Sequence, residues 1–188
     1  MYRLFIAIPI PERIKKSILS LRANIPGARW MDDDQLHVTL KFIGEVEGHV
    51  ADSVKNTLRG VRYNPFEMQF QGMGVFPAGG RGYRSSPRVL WTGIGNPGHV
   101  SALRNRIENA AAQAGIPRER RKFSPHVTVA RLKNPPLQSV KNFLTEYDSF
   151  ASEKFTVESF ILYSSTLKRS GAVYSIVADY PLTVIDPF

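Results

Sequence analysis

The chain has 188 residues, about the length of one domain, and its 43% apolar and 22% charged composition excludes a disordered or fibrous protein. Lys and Arg number 25 against 16 Asp and Glu, a net charge of +9, which favours a polyanionic partner such as nucleic acid, a phosphorylated ligand or an acidic membrane surface. With no cysteine, disulfides, thiolate-bound zinc, iron–sulfur clusters and thiol catalysis are excluded, and a reducing cytosol is the simplest home.

The first apolar run, Leu4 to Ile10, is interrupted by Pro9 and followed by Pro11. It is too short for a membrane span of ~20 residues and reads as a buried strand, so the chain is expected to be cytoplasmic with no membrane association. Pro11 opens a helix carrying Ile14, Ile18 and Leu21 at helical spacing. Leu36 to Ile43 reads as a strand, and Val50, Val54, Leu58 and Val61 mark a second helix. Phe66 to Phe76 and Arg88 to Ile94 are strand-like, joined by a Gly- and Pro-rich connection containing Arg81, Tyr83 and Arg84. A third helix starts near Asn96-Pro97 and is closed by Gly115 and Pro117. Ser124 to Leu132 is a strand, Leu137 to Tyr147 a fourth helix, and Phe155 to Ser164 and Ala172 to Leu182 are final strands. The pattern predicts an α+β protein with largely antiparallel sheets.

One repeat carries chemistry. Leu36-His37-Val38-Thr39-Leu40-Lys41 is echoed by Pro125-His126-Val127-Thr128-Val129-Ala130. On a strand, residues i and i+2 share a face, so His37 stands beside Thr39 and His126 beside Thr128, with the aliphatic neighbours turned to a core. Two lobes, each offering one copy, would line a single cleft with two imidazoles and two hydroxyls. Such a cleft suits a phosphodiester with a neighbouring hydroxyl: one neutral histidine removes a proton and one protonated histidine supplies one. The threonines can donate to the non-bridging oxygens. No metal or other cofactor is required.

These stretches, His37-Val-Thr-Leu with Lys41-Phe42-Ile43-Gly44 and Phe123-Ser-Pro-His126-Val-Thr-Val-Ala-Arg131, resemble the paired motifs of the two-histidine phosphoesterase superfamily. Within it, the sequence is most similar to the RNA 2′,3′-cyclic phosphodiesterases, also called 2′-5′ RNA ligase-like proteins. The resemblance extends over nearly the whole chain. It implies one bilobal domain over residues 1–188, with two pseudo-symmetric lobes, an antiparallel sheet in each, helices packed outside and the active cleft between. It further implies hydrolysis of an RNA 2′,3′-cyclic phosphate end to a 2′-phosphomonoester, in some relatives with reversible 2′-5′ ligation of tRNA halves. His37 takes the role of proton donor and His126 that of proton acceptor; the residues themselves identify only the pair. The implied partner is RNA or an oligonucleotide, and the protein is expected to act as a monomer. The alternative is an RNA-binding protein of the same fold without turnover.

Further residues have open roles. Lys41 shares strand parity with His37 and Thr39 and is a candidate for phosphate binding, or else an exposed strand-end lysine. Arg131 matches the basic residue that follows the second motif in the family, but its parity is opposite, so it reaches the cleft only if the strand ends or bulges first. Phe42 also has off-face parity and is expected to pack in the core. The run Arg118 to Lys122 is either a phosphate-attracting cleft mouth or a solvated loop. Trp30 stacks on a base or caps the core. Asp32-Asp33-Asp34 reads as a solvated turn rather than a ligand set, and His49 and His99 as surface residues.

Overall fold

The computed structural model describes residues 1–77, 86–168 and 171–184. The first half of the chain forms β1 (Tyr2–Pro9), α1 (Glu12–Leu19), β2 (Ala28–Trp30), a 3₁₀ turn (Asp33–Gln35), β3 (His37–Val46), α2 (Gly48–Leu58), β4 (Phe66–Met68) and β5 (Phe70–Pro77). The second half forms β6 (Pro87–Ile94), α3 (Gly98–Gln113), β7 (His126–Leu132), α4 (Leu137–Glu146), β8 (Phe155–Val157), β9 (Ser159–Lys168) and β10 (Gly171–Pro181). Setting aside β2, the 3₁₀ turn and the final β10, the chain runs twice through strand, helix, strand, helix, short strand, long strand.

The segments follow from local chemistry. Ile14 and Ile18 give α1 its buried stripe. Gly115, at a φ of +83°, ends α3 by turning left-handed, and its neighbour's N–H (Ile116) reaches back to the Ala111 carbonyl at 3.0 Å. The strand expected over residues 66–76 divides into β4 and β5, and that over 155–164 into β8 and β9. β2 is too short to show periodicity and was not expected.

Seven strands lie in the order β10-β9-β1-β3-β7-β6-β5, with β2 also paired to β7. β4 and β8 form a separate two-stranded sheet. The two repeats exchange their long strands: β5 of the first pairs with β6 of the second, and β9 of the second pairs with β1 of the first. The two expected sheets are therefore halves of one, joined where β3 meets β7 at Val38 opposite Val127. Both valines are fully buried, in a core with Ile6 and Ile8 of β1 and Leu103 and Ile107 of α3.

Each motif strand carries an irregularity at the same place. Against β1, Thr39 pairs with Ala7 and Lys41 with Ile6, leaving Leu40 extra. Against β6, Thr128 pairs with Trp91 and Ala130 with Leu90, leaving Val129 extra. An extra residue reverses the alternation beyond it. Leu40 and Lys41 are consequently both buried and Phe42 is exposed; Val129 and Ala130 are both buried and Arg131 is exposed.

Among the described residues, no helix is long and apolar enough to cross a membrane.

Candidate active site

The sheet brings both motifs to one cleft of about 380 Å³, lined by His37, Thr39, His126 and Thr128. Arg3, Arg131, Phe42, Gln35 and Tyr174 join them, and no Asp or Glu is among the described lining residues. Two imidazoles and two guanidiniums without a carboxylate make a site for an anion.

The histidines are held alike. The His126 ring bonds through Nδ1 to the Ser124 carbonyl at 2.7 Å, and His37 bonds to the backbone of Gln35. In each case the partner lies two residues upstream. With Nδ1–H donating to a carbonyl, the tautomer is fixed and Nε2 of His126 is left free to accept a proton. Aromatic rings complete both settings. Phe5 lies 4.9 Å from the His37 ring, and Tyr174 meets that ring edge-on at 5.2 Å. Phe76 meets the His126 ring edge-on at 4.7 Å. Burial disfavours the imidazolium in both. The His37 pKa is lowered to about 4, through burial first and then through the positive fields of His126 and Arg131. His126 is also lowered, again chiefly by burial. Both are therefore neutral near pH 7 in the empty site.

Arg131 meets the condition set by its parity: the irregularity at Val129 turns it toward the cleft, which it lines. The same device corrects the reading of Lys41. The irregularity at Leu40 turns Lys41 inward, where the residue is only 4% exposed and its amino group bonds both oxygens of Glu108 at 3.0 Å. It is not an exposed strand-end lysine, and its three donors are taken by Glu108 and the Pro117 carbonyl, although it lines a neighbouring cleft. Phe42 is corrected in the opposite sense: it is 68% exposed and lines the cleft instead of packing in the core.

A second cleft of about 630 Å³ shares Thr39, Phe42, His126 and Arg131 with the first and extends past Arg121 and Lys122. The basic run thus reaches the rim, although Arg121 is paired with Glu119 at 3.0 Å and Arg118 bonds Asn109 at 2.8 Å. Trp30 caps the core: it packs against Phe143 at 5.6 Å and donates to the Ala23 carbonyl. Asp32 pairs with Arg22 and Asp33 with Lys15, and the described residues contain no group of three or more acids and histidines able to hold a metal ion. His49 is exposed, and His99 stacks on Phe66 and bonds Tyr63. Arg81, Tyr83 and Arg84 lie outside the described residues.

Residues 10–169 match the family model described as the 2′-5′ RNA ligase superfamily. The chain belongs to the 2′-5′ RNA ligase superfamily. The resemblance drawn from the paired motifs is borne out at that level. Similar curated proteins include an RNA 2′,3′-cyclic phosphodiesterase of Archaeoglobus fulgidus, 32% identical over 177 residues covering 92% of this chain and 96% of that one. Another, from Thermotoga maritima, is 33% identical over 181 residues, covering 93% of this chain and 92% of its own. The structure of Escherichia coli LigT complexed with 3′-AMP is similar with a TM-score of 0.77 and 27% identity, covering 97% of this chain and 99% of that one.

In this member of the 2′-5′ RNA ligase superfamily, sequence reasoning missed Arg3, Phe5, Gln35 and Tyr174 as cleft residues. Arg3 and Phe5 share one strand face, but the apolar run around Phe5 hides the alternation. Tyr174 comes from β10, which reaches the cleft only through the order of strands in the sheet; no local pattern marks it.

Proposed function

We propose that the protein hydrolyses RNA 2′,3′-cyclic phosphate ends to 2′-phosphomonoesters. The observation that carries this reading is the pair of His-x-Thr motifs on one cleft whose described lining holds two arginines and no carboxylate. The names of the curated relatives support it.

His126, with Nδ1 tied to Ser124, takes a proton from the attacking water. The new P–O bond forms, the P–O3′ bond breaks, and His37 protonates the departing O3′, leaving phosphate on O2′. Thr39 and Thr128 donate to the non-bridging oxygens, and Arg131 balances their charge. A neutral His37 cannot serve as the acid. The bound phosphate supplies that need, since an anion beside the ring favours the imidazolium and opposes the fields of Arg131 and His126 that lower it. With a ribose 5′-hydroxyl in place of water, the same steps join two RNA ends through a 2′-5′ linkage.

The test is incubation with an RNA ending in a 2′,3′-cyclic phosphate, in EDTA, followed by identification of the phosphomonoester. Conversion to the 2′-phosphate is expected. Salt-sensitive binding of that RNA without turnover would replace the enzyme with a binding protein, and formation of the 3′-phosphate would reverse the leaving group.

A further inference from the structure

Lys41 is a charged residue that the chemistry above does not use. Its ammonium donates to both oxygens of Glu108 and to the Pro117 carbonyl, each at 3.0 Å, which saturates its three donors. Glu108 is 3% exposed and also receives Arg104 at 3.0 Å. The Arg104 guanidinium in turn lies 5.3 Å from the centre of the Phe123 ring.

Three parts of the chain therefore meet at one ammonium: the first motif strand β3, the helix α3, and the segment 117–123 that leads into the second motif. That segment has no regular secondary structure, so no ladder fixes its path. It runs directly into Ser124, whose carbonyl holds the His126 ring. The position equivalent to Lys41 in the second strand is Ala130, so the clamp exists on one side of the pseudo-symmetric site only. Well-packed apolar residues commonly hold such a place as firmly as a buried ion pair. Stability alone thus gives no reason for these charges beside the active cleft.

We propose that Lys41 is a positioning residue: through Glu108 and the Pro117 carbonyl it holds the segment 117–124 against the first motif strand, and so keeps the His126 imidazole in one tautomer opposite His37. The kinetic part of this inference rests on the hydrolytic function proposed above; the part concerning the ring does not.

The test compares K41M and E108Q with the wild type. Circular dichroism checks folding, steady-state kinetics use a cyclic-phosphate-ended RNA, and ¹⁵N-edited histidine spectra of the free protein report the His126 tautomer. Both variants are expected to lose ~10- to 100-fold in kcat, as for a small displacement of a catalytic group, with KM within about twofold, and to show a mixture of His126 tautomers. E108Q keeps the size of Glu108 but replaces one of the two oxygens that accept from Lys41 with an NH2 donor, so it loosens the clamp without emptying the site and carries the test should K41M not fold. A raised KM in K41M with an unchanged His126 spectrum would instead make Lys41 a phosphate contact and overturn the proposal. So would wild-type kcat and a single tautomer in a folded E108Q. Absence of turnover in the wild type would refute the hydrolytic reading, while the spectra would still decide whether Lys41 positions the ring.

Discussion

Val38 lies directly across from Val127 at the junction of the two half-sheets. They are the same position of the repeated motif, so an antiparallel pair centred on them creates a local two-fold axis. In that register His37 falls opposite Thr128 and Thr39 opposite His126. The valines are buried while the four polar residues line the cleft. One pairing of two apolar residues thus assembles the whole polar constellation.

If both imidazoles transfer protons, neither can be spared. H37A and H126A are each expected to lower kcat by at least ~10²-fold while keeping native circular dichroism. The measurement is single-turnover hydrolysis of a cyclic-phosphate-ended RNA. Near-normal turnover in either variant would remove that histidine from the proton transfers.

Burial of the two rings links stability to pH. The His37 pKa is about 4 and that of His126 is also lowered, against ~6.5 in an unfolded chain. Between these values the unfolded chain binds more protons than the folded one, so stability is full above about 6.5 and declines as pH falls toward 4. The urea midpoint should drop over that window, and H37F, which keeps an aromatic ring without the titrating group, should drop less. An identical pH dependence in wild type and H37F would show that His37 is not held neutral. Inorganic phosphate should raise the His37 pKa in an NMR titration.

Most of the chain's elements were legible because their signals are local: apolar spacing for the helices, the glycine that closes α3, and the repeated His-x-Thr for the site. Strand parity then failed at the same place in both motifs. It put Lys41 at the phosphate or on the surface and Phe42 in the core, and it left Arg131 in doubt, because the extra residues Leu40 and Val129 reverse the alternation. Such an irregularity arises from how a neighbouring strand pairs, so the strand's own residues do not announce it. The partner that draws Lys41 inward, Glu108, lies in another element and becomes its neighbour only in the fold. Tyr174 was hidden for the same reason, since β10 reaches the cleft through sheet order alone.

Arg131 and Phe42 occupy equivalent positions after the two irregularities and should divide the substrate between them. R131A is expected to raise KM for the RNA and the inhibition constant of inorganic phosphate together, by about tenfold, or ~1.4 kcal/mol. F42A should raise KM severalfold and leave phosphate inhibition unchanged, because an exposed ring at the cleft can stack on a base but offers nothing to a bare anion. Competition experiments with inorganic phosphate separate the two effects. Loss of phosphate inhibition in F42A would contradict the division.

Gly74 tests how rigid the support behind His126 is. A Cβ there would overlap the Trp91 ring, and that ring sits 5.2 Å from Phe76 and 6.3 Å from His126. An indole displaced by that Cβ shifts within a packed group of rings, and overpacking of this kind costs ~1–3 kcal/mol. G74A should lower the urea midpoint accordingly and reduce kcat more than KM. G48A is the control, because its Cβ would meet only Tyr2 at an ordinary 3.9 Å, and it should leave kcat unchanged. Wild-type stability and turnover in G74A would mean that Trp91 can yield without disturbing its neighbours, and that the setting of the His126 ring does not depend on the indole's position.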